Sequence, residues 1–214
     1  GNGQLFSGLR RAVLQRNAVL RSGILAQQEL FPWEQQVAQY GEAVHEWRQK
    51  FVADLNPLFQ SFLVGLGLGI DLDVVYRSGW GEKGLVEALA ANRNREIKAR
   101  CSLIGPQRAD LEIMRGGVKA SDVLSRGQLK ICNLALILAQ LSAAGQRGLD
   151  PVLCLDVPGA ELDEDSLSRV WKVVVESGAQ VLATGINVDR IGVNVSQLEH
   201  ARVFHVKSGR VFSH

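Results

Sequence analysis

The sequence predicts an α/β protein in which a helical arm precedes a parallel sheet with flanking helices. Three observations lead to this fold class. Apolar residues recur at steps of three and four between Trp33 and Phe62, the spacing of a helix that packs along one side. A strand, helix, strand pattern follows residue 150, as in parallel sheets with crossover helices. Between these two regions, the turn at residues 124–128 opens a very apolar helix.

Composition and charge set the general class of protein. The 214 residues are 46% apolar, enough to bury a core in one or two domains. The net charge of +2 is too balanced to indicate a nucleic-acid partner by itself. We expect no apolar run long enough to cross a bilayer, and the sequence starts with polar residues, so a cytoplasmic protein with no membrane partner is expected. Met114 is the one methionine, so we expect a fragment of a longer protein.

The cysteines indicate a reducing compartment. They lie far apart in apolar surroundings and form no Cys-x-x-Cys pair. They are Cys101, Cys132 and Cys154. We therefore expect three buried thiols.

The first hundred residues predict the arm. Residues 5–28 mix apolar and basic positions at helical spacing. The basic residues expected on the outer face are Arg10, Arg11, Arg16 and Arg21. Pro32 should break this pattern, and the apolar seam of residues 33–62 predicts a second, long helix that Pro57 kinks or ends. Together they predict a helical, coiled-coil-like arm over residues 1–100.

The glycine-rich segment at residues 65–69 predicts the end of the long helix. Its sequence GLGLG partly resembles a dinucleotide-binding turn. It lacks the third glycine of G-x-G-x-x-G and follows a helix pattern where that motif requires a strand. A helix terminator is therefore the preferred interpretation, and a cofactor loop is the alternative.

The following elements are shorter. A strand is expected at residues 71–77, a helix at 84–100, and strands at 101–104 and 110–114. Gly116 and Gly117 predict a hairpin turn. The helix that begins near Gly127 is apolar nearly all round, so we expect it to be buried on most sides.

Residues 101–214 complete the predicted sheet. An apolar strand at residues 152–157 ends in a carboxylate, and residues 180–184 form a further buried strand. Between them, Asp163 should cap a helix that Gly178 stops. Residues 202–206 and 210–213 predict a terminal hairpin.

The turn at residues 124–128, with the sequence LSRGQ, is typical of an anion-binding device. Amide groups at a helix start have no intrahelical partner and carry the positive end of the helix dipole. Together with the Ser125 hydroxyl they can hold a terminal phosphate. The chain contains no Gly-Lys dipeptide and hence no phosphate loop. The sequence therefore predicts one part of an ATPase.

Asp156 is the candidate metal ligand. A carboxylate at the end of an apolar strand reaches Mg²⁺ through water in phosphate-loop ATPases. The same position is also a common start for a turn, which is the structural alternative. The order of the turn at Ser125, then Asp156, then the acidic helix start at residues 161–163 favours the functional interpretation.

Four segments together resemble the RecF family of bacterial gap-repair and replication proteins, ABC-type and SMC-like ATPases. They are residues 104–111 (IGPQRADL), 123–130 (VLSRGQLK), 154–156 (CLD) and 160–163 (AELD). Residues 10–18 and 76–80 extend the resemblance weakly. The resemblance implies the carboxyl-terminal part of an ABC-type ATPase head without its phosphate loop. Residues 1–100 would form an arm like the second lobe, and residues 101–214 the part with the signature turn and Walker B strand.

The family resemblance also implies roles for the site residues. ATP lies between two subunits of such heads, with the signature turn of one completing the phosphate site of the other, and the two half-sites occupy different lobes. Ser125 and the amides of Arg126 and Gly127 would contact the γ-phosphate, with Gln128 at the same interface. Asp156 would hold Mg²⁺ through water. The D-loop residues that follow would be Glu161, Leu162 and Asp163. Arg126 is either a cation for phosphate or the partner surface, or a solvated surface residue.

Two departures from the family pattern bear on hydrolysis. Val157 occupies the position after Asp156, where the family usually carries a second acidic residue that orients water. Valine cannot accept a proton or align a water molecule. Gln107 takes the place of the histidine in the family's Gly-Pro-His. We therefore expect weak or absent hydrolysis, with ATP-dependent homodimerisation retained and the isolated chain binding ATP poorly.

The resemblance further implies DNA as a partner, at single-strand/double-strand junctions, and recombination mediators of the RecR and RecO type. The candidate phosphate contacts are Arg93, Arg95, Lys98 and Arg100, together with the arginines of the arm. The alternative for these residues is a solvated helix face. For the whole chain, the alternative is a non-catalytic SMC-like architectural module whose ATPase site has decayed.

Overall fold

The computed structural model describes residues 2–22, 27–157, 162–186, 191 and 200–213. The predicted α/β class is confirmed, with a long helical arm at the amino-terminal end of the chain and a parallel strand pair with flanking helices towards the other. Two compact units divide the chain. The first comprises Gly1–Pro57 and Leu72–Asp122, and the second comprises Leu58–Asp71 and Val123–His214. The division at residue 100 stays a prediction.

Two long helices form the arm. Helix α1 spans Asn2–Ser22 and α2 spans Gln27–Gly65. Pro32 and Pro57 both lie inside α2, so the pattern does not break at Pro32 and the helix does not end at Pro57. A kink at Pro57, the other expected outcome, stays a prediction. An interior proline costs about 3 kcal/mol. The continuous buried row along α2 outweighs this cost, and its members are Leu30, Val37, Val44, Val52, Leu55, Phe59 and Leu63.

In the first unit, α1 and α2 share a core with α3, which spans Leu85–Ala99. The core residues are Leu9, Ala12, Val37, Ala38, Val44, Leu85 and Leu89. Trp80 and Ile104 pack against this core partly buried.

Arg16 corrects the predicted outer face of α1, because it is completely buried. Its Nη2 atom lies 2.6 Å from Glu96 Oε2 and 3.1 Å from Glu34 Oε1. Its Nη1 atom donates to the Ser102 hydroxyl at 2.8 Å. Buried charges require such partners, since an unpaired ion is expensive to remove from water.

Glu96 also explains why residues 101–104 form no strand. Its Oε1 atom accepts from the amides of Leu103 at 2.6 Å and Ile104 at 3.2 Å. Asn17 accepts from the Ser102 amide at 2.7 Å. The amides of this segment are therefore bonded to side chains, so the predicted strand is wrong and a bent connection follows α3.

A three-stranded antiparallel sheet completes the first unit. Its order is β1 (Asp73–Arg77), β2 (Asp110–Arg115) and β3 (Val118–Lys119). Gly116 and Gly117, with φ of 55° and 86°, form the predicted two-residue hairpin between β2 and β3. A 3₁₀ turn, Pro106–Arg108, precedes β2, and helix α4, Ala120–Val123, follows β3.

The predicted terminator of α2 is confirmed within Leu58–Asp71, a segment of the second unit. Gly67 has φ of 80°, its amide donates to Val64 O at 3.0 Å, and the Leu68 amide donates to Leu63 O at 2.8 Å. This pair of bonds is a Schellman motif. Its left-handed position is occupied by Gly67, which has no Cβ atom to clash with the backbone.

The second unit contains α5 (Arg126–Gly145), β4 (Val152–Asp156), α6 (Glu164–Glu176) and β5 (Gln180–Thr184). Strands β4 and β5 are parallel, with Val152 opposite Gln180 and Asp156 opposite Thr184. The predicted hairpin is confirmed as β6 (Phe204–Lys207) and β7 (Arg210–Ser213).

Helix α5 is less buried than its composition predicts. One side is buried through residues such as Ile131, Leu134 and Leu138, but Ile137 is 47% exposed. By length and composition alone, α5 would qualify as a membrane span, which corrects the expectation that no such run exists. Core helices of soluble proteins meet the same criterion, so the observation assigns no membrane role.

One face of the β4–β5 pair is exposed. Leu153 is buried, whereas Cys154 and Leu182 on the opposite face are exposed. Side chains alternate between the two faces of a strand, so burial of one face does not bury its neighbours. The expectations of three buried thiols and of a buried β5 are therefore wrong: Cys132 is buried and Cys101 is half-buried.

Candidate functional site

The turn at residue 125 is built as a reciprocal cap of α5. Ser125 has extended backbone angles, φ −67° and ψ 163°, and its side chain accepts from the Gln128 amide at 3.3 Å. Gln128 Oε1 accepts in return from the Ser125 amide at 3.0 Å. This capping box satisfies two of the donors that a helix start leaves without partners.

Two further donors remain at the same turn. No residue in the described part of the chain accepts a hydrogen bond from the amides of Arg126 and Gly127. Ser125 and Arg126 are exposed, and Gly127 and Gln128 are half-buried. Because the Ser125 oxygen already accepts a bond, its hydroxyl proton is available to a ligand. Two amides, one hydroxyl and a helix dipole of 20 residues favour an anion here.

Gln128 serves the cap itself. Its side-chain oxygen is bonded to the Ser125 amide, so it fixes the shape of the turn. Its predicted place at a subunit interface stays a prediction.

Asp156 lies at the carboxyl end of β4 with its side chain exposed. The hydroxyl of Thr184, its register partner on β5, donates to Asp156 Oδ1. This bond orients the carboxylate and leaves Oδ2 for another ligand. No local sequence pattern identifies Thr184, since the pairing of β4 with β5 brings these residues together from 28 positions apart.

The donor set near Asp156 fits a magnesium ion that is shared with phosphate. No group of three or more His, Cys, Asp or Glu side chains suited to a metal occurs in the part of the chain that the structure describes. Mg²⁺ commonly binds through one or two carboxylates, with waters and substrate phosphates as its other ligands. A single oriented carboxylate suits that mode of binding.

Val157 follows Asp156 in a left-handed conformation. Its φ is 43°, which is a genuine outlier for a β-branched side chain. Its amide donates to Thr184 O at 3.1 Å, and its carbonyl oxygen accepts from Lys130 Nζ at 3.2 Å. Both polar backbone atoms of this residue are therefore bonded within the second unit.

The acidic segment after Val157 is partly described. Glu161 lies outside the described residues, and Leu162 is half-buried. Asp163 caps α6 as predicted, with Oδ1 accepting from the Ser166 amide at 2.7 Å and Oδ2 from the Ser166 hydroxyl at 3.0 Å. The bond from the Ser166 amide, followed by that from its hydroxyl, lowers the pKa of Asp163.

The four basic residues predicted to contact DNA lie on α3 or directly after it, and they differ in their partners. Arg93 forms a two-pronged ion pair with Glu34, with Nη2 to Oε2 at 2.6 Å and Nε to Oε1 at 3.2 Å. Hydrogen bonding to Glu34 raises the pKa of Arg93. Arg95, Lys98 and Arg100 are exposed. A phosphate would have to compete with Glu34 for Arg93, whereas the other three cations lie at the surface.

Comparison with known proteins shows which proteins the chain resembles in sequence. No family model matches the chain. Proteins named DNA replication and repair protein RecF are similar to it: one from Coxiella burnetii (strain RSA 493 / Nine Mile phase I) is 34% identical over 97% of the chain. Those from Hahella chejuensis (strain KCTC 2396) and Shewanella putrefaciens (strain CN-32 / ATCC BAA-453) are 30% and 33% identical over 97% and 96% of it. These matches support the RecF family for this chain.

Solved structures of RecF have the same fold. The recombination mediator protein RecF with ATP matches 98% of the chain with a TM-score of 0.78 at 21% identity. Its complex with ATPrS gives a TM-score of 0.76. The chain spans 57% of the length of the RecF from Coxiella and of both solved structures. The chain therefore has the fold of the matched part of RecF.

The predicted signature turn and the predicted magnesium strand lie in one compact unit. Ser125 and Asp156 both belong to the second unit, and the exposed cations of α3 belong to the first. The expected assignment of the two half-sites to different lobes stays a prediction. The contact from Lys130 to Val157 runs from the helix behind the turn to the residue behind Asp156.

Proposed function

We propose that this chain is part of a RecF-type, ATP-dependent DNA-binding protein in which the turn at residues 125–128 of one subunit grips the γ-phosphate of ATP held by a second subunit. The observation that carries the proposal is the capped turn, which uses the amides of Ser125 and Gln128 and leaves those of Arg126 and Gly127 for an anion. The exposed guanidinium of Arg126 adds a positive charge beside it.

The metal side of the proposed site depends on Asp156. Bound Mg²⁺ would neutralise charge on the phosphates, and Asp156 would hold it through water. Thr184 contributes by fixing one carboxylate oxygen, so that the other faces the ligand in one orientation.

Val157 supports slow hydrolysis in this proposal. Its side chain cannot take a proton from the attacking water. Phosphate contacts and dimerisation do not require that base. The same observation favours the second candidate, a non-catalytic architectural module, if nucleotide binding is lost as well.

The proposal predicts nucleotide-driven dimers with little turnover. In the protein extended to the full length of its relatives, sedimentation should give monomers without nucleotide and dimers with ATP and Mg²⁺. Phosphate release should stay far below that of a relative with a carboxylate after its magnesium aspartate. Monomers under both conditions would instead support the architectural module, and turnover equal to the relative's would contradict the role given to Val157.

We further propose that DNA phosphates contact Arg95, Lys98 and Arg100, in support of gap repair and replication restart. All three are exposed at the end of α3, within five positions of one another. Phosphate contacts of this kind give affinity without sequence preference. Recombination mediators of the RecR and RecO type would be the protein partners.

Replacement of these three cations by glutamine is expected to weaken DNA binding at low salt. The slope of log affinity against log salt should become shallower by about 2 to 3, one for each lost phosphate contact. Junction DNA and the extended protein are used for the measurement. The control neutralises three exposed cations of the second unit, Lys172, Arg202 and Arg210. Equal slopes for wild type and the α3 variant would overturn this surface.

A further inference from the structure

Lys130 connects two regions that the proposed function treats separately. It lies on α5, five positions after the cap residue Ser125, and its Nζ donates to Val157 O at 3.2 Å. Asp156 immediately precedes the accepting residue. Neither phosphate binding nor magnesium binding, as described above, gives Lys130 a role.

The conformation of Val157 indicates what this contact does. A β-branched residue in the left-handed region is strained, so it persists only where its surroundings fix it. Two bonds hold the peptide groups of Val157, from its amide to Thr184 and from Lys130 to its carbonyl. The bond from Lys130 has a charged donor, the stronger kind of hydrogen bond.

The strand end is therefore held from two directions. Thr184 fixes it to β5 through both the Asp156 side chain and the Val157 amide. Lys130 fixes it to α5, the helix whose first turn carries the anion-binding amides. If the Lys130 bond is lost, the strained residue can relax and the Asp156 carboxylate loses part of its support.

We propose that Lys130 is a positioning residue that holds Val157 in its left-handed conformation and thereby fixes the magnesium carboxylate to the helix of the signature turn. The effect on nucleotide binding rests on the proposed function. The contact itself does not, and it is tested without nucleotide.

The first measurement is amide hydrogen exchange of the 214-residue chain. Lys130→Met keeps the length and apolar stem of the side chain but removes the donor. Exchange at the Val157 amide is expected to accelerate about tenfold, the effect of losing one hydrogen bond with a charged donor. Lys130→Arg should restore the wild-type rate, and Lys172→Met, on the exposed side of α6, should leave it unchanged.

A second background tests the role of strain. Val157→Gly removes the Cβ atom that makes this conformation costly. In this background, Lys130→Met should accelerate exchange less than it does beside valine. An unchanged rate in Lys130→Met, or equal acceleration beside glycine and valine, would overturn the proposal.

The functional measurement uses the extended protein with ATP. Lys130→Met should raise the Mg²⁺ concentration needed for half-maximal dimerisation, and Lys130→Arg should restore it. If Lys130→Met accelerates exchange at the Val157 amide but leaves the Mg²⁺ requirement unchanged, Lys130 does not position Asp156 for Mg²⁺. If wild type fails to dimerise with ATP, the proposed function fails, and the exchange experiment still decides the Lys130 contact.

Discussion

Glu96→Gln is expected to lower the free energy of unfolding by about 3–5 kcal/mol, the range for removing one partner of a buried ion pair. Glu96 is completely buried and bonds both Arg16 and two backbone amides. The amide side chain keeps the volume but removes the charge. Arg16 would then share its remaining carboxylate, Glu34, with Arg93.

Urea unfolding followed by tryptophan fluorescence measures this change. Glu87→Gln is the matched control, because Glu87 lies on the same helix with its side chain 67% exposed and pairs at the surface with Lys83. Such surface pairs contribute about 0–1 kcal/mol. A loss for Glu96→Gln no larger than that of the control would show that the buried cluster does not stabilise the arm.

Acid titration gives an independent check of the same cluster. Burial raises the pKa of Glu34, but hydrogen bonds from Arg93 and Arg16 outweigh this and hold the pKa below its usual value of 4.5. The unfolded chain therefore binds this proton more readily. The stabilisation from Glu34 should be fully present above pH 4.5 and disappear as the pH falls through the folded pKa. Glu34→Gln should remove that part of the pH dependence.

Ser125→Arg is expected to abolish ATP-dependent dimerisation of the extended protein. The substitution removes the cap, worth about 1 kcal/mol, and the hydroxyl that can donate to phosphate. The long arginine side chain also occupies the space in front of the Arg126 and Gly127 amides. Sedimentation with ATP and Mg²⁺ should give monomers for this variant.

The matched control places the same substitution just before the turn. Ser121 is exposed on α4, and its hydroxyl donates to the neighbouring Asp122 at 2.9 Å. Ser121→Arg should therefore dimerise like wild type. If the Ser125→Arg variant dimerises at the same ATP concentration as wild type, the turn does not take part in nucleotide recognition.

Local signals made several elements predictable from the sequence. The caps at Ser125 and Asp163, the terminator at Gly67 and the hairpin at residues 116–117 each depend on residues within a few positions. Backbone geometry near these residues is set by their own side chains, so the pattern is sufficient.

Long-range partners explain the wrong expectations. Arg16 resembles the other arginines of α1 in sequence, but its partners lie 18, 80 and 86 positions away. The bent segment at residues 101–104 depends on the same cluster through Glu96. Helix periodicity alone cannot identify which polar residue a neighbouring element buries.

In the candidate site, too, some residues follow from local sequence patterns and others depend on long-range contacts. The motif indicated Ser125 and Asp156 directly, whereas Thr184 and Lys130 enter only through the pairing of β4 with β5 and the packing behind the turn. Their types, a threonine in a strand and a lysine on a helix, are common everywhere. The sequence carried no signal that distinguished them.

Mixed dimers test most directly whether the turn of one subunit serves the nucleotide of another. Ser125→Arg and Asp156→Asn each disable one half of a shared site, so neither variant alone should dimerise with ATP and Mg²⁺. In an equimolar mixture, one of the two sites would combine an intact Asp156 with an intact Ser125 from the other subunit. The mixture is therefore expected to regain ATP-dependent dimers, all of them containing one copy of each variant. A mixture that stays monomeric while wild type dimerises would contradict this expectation.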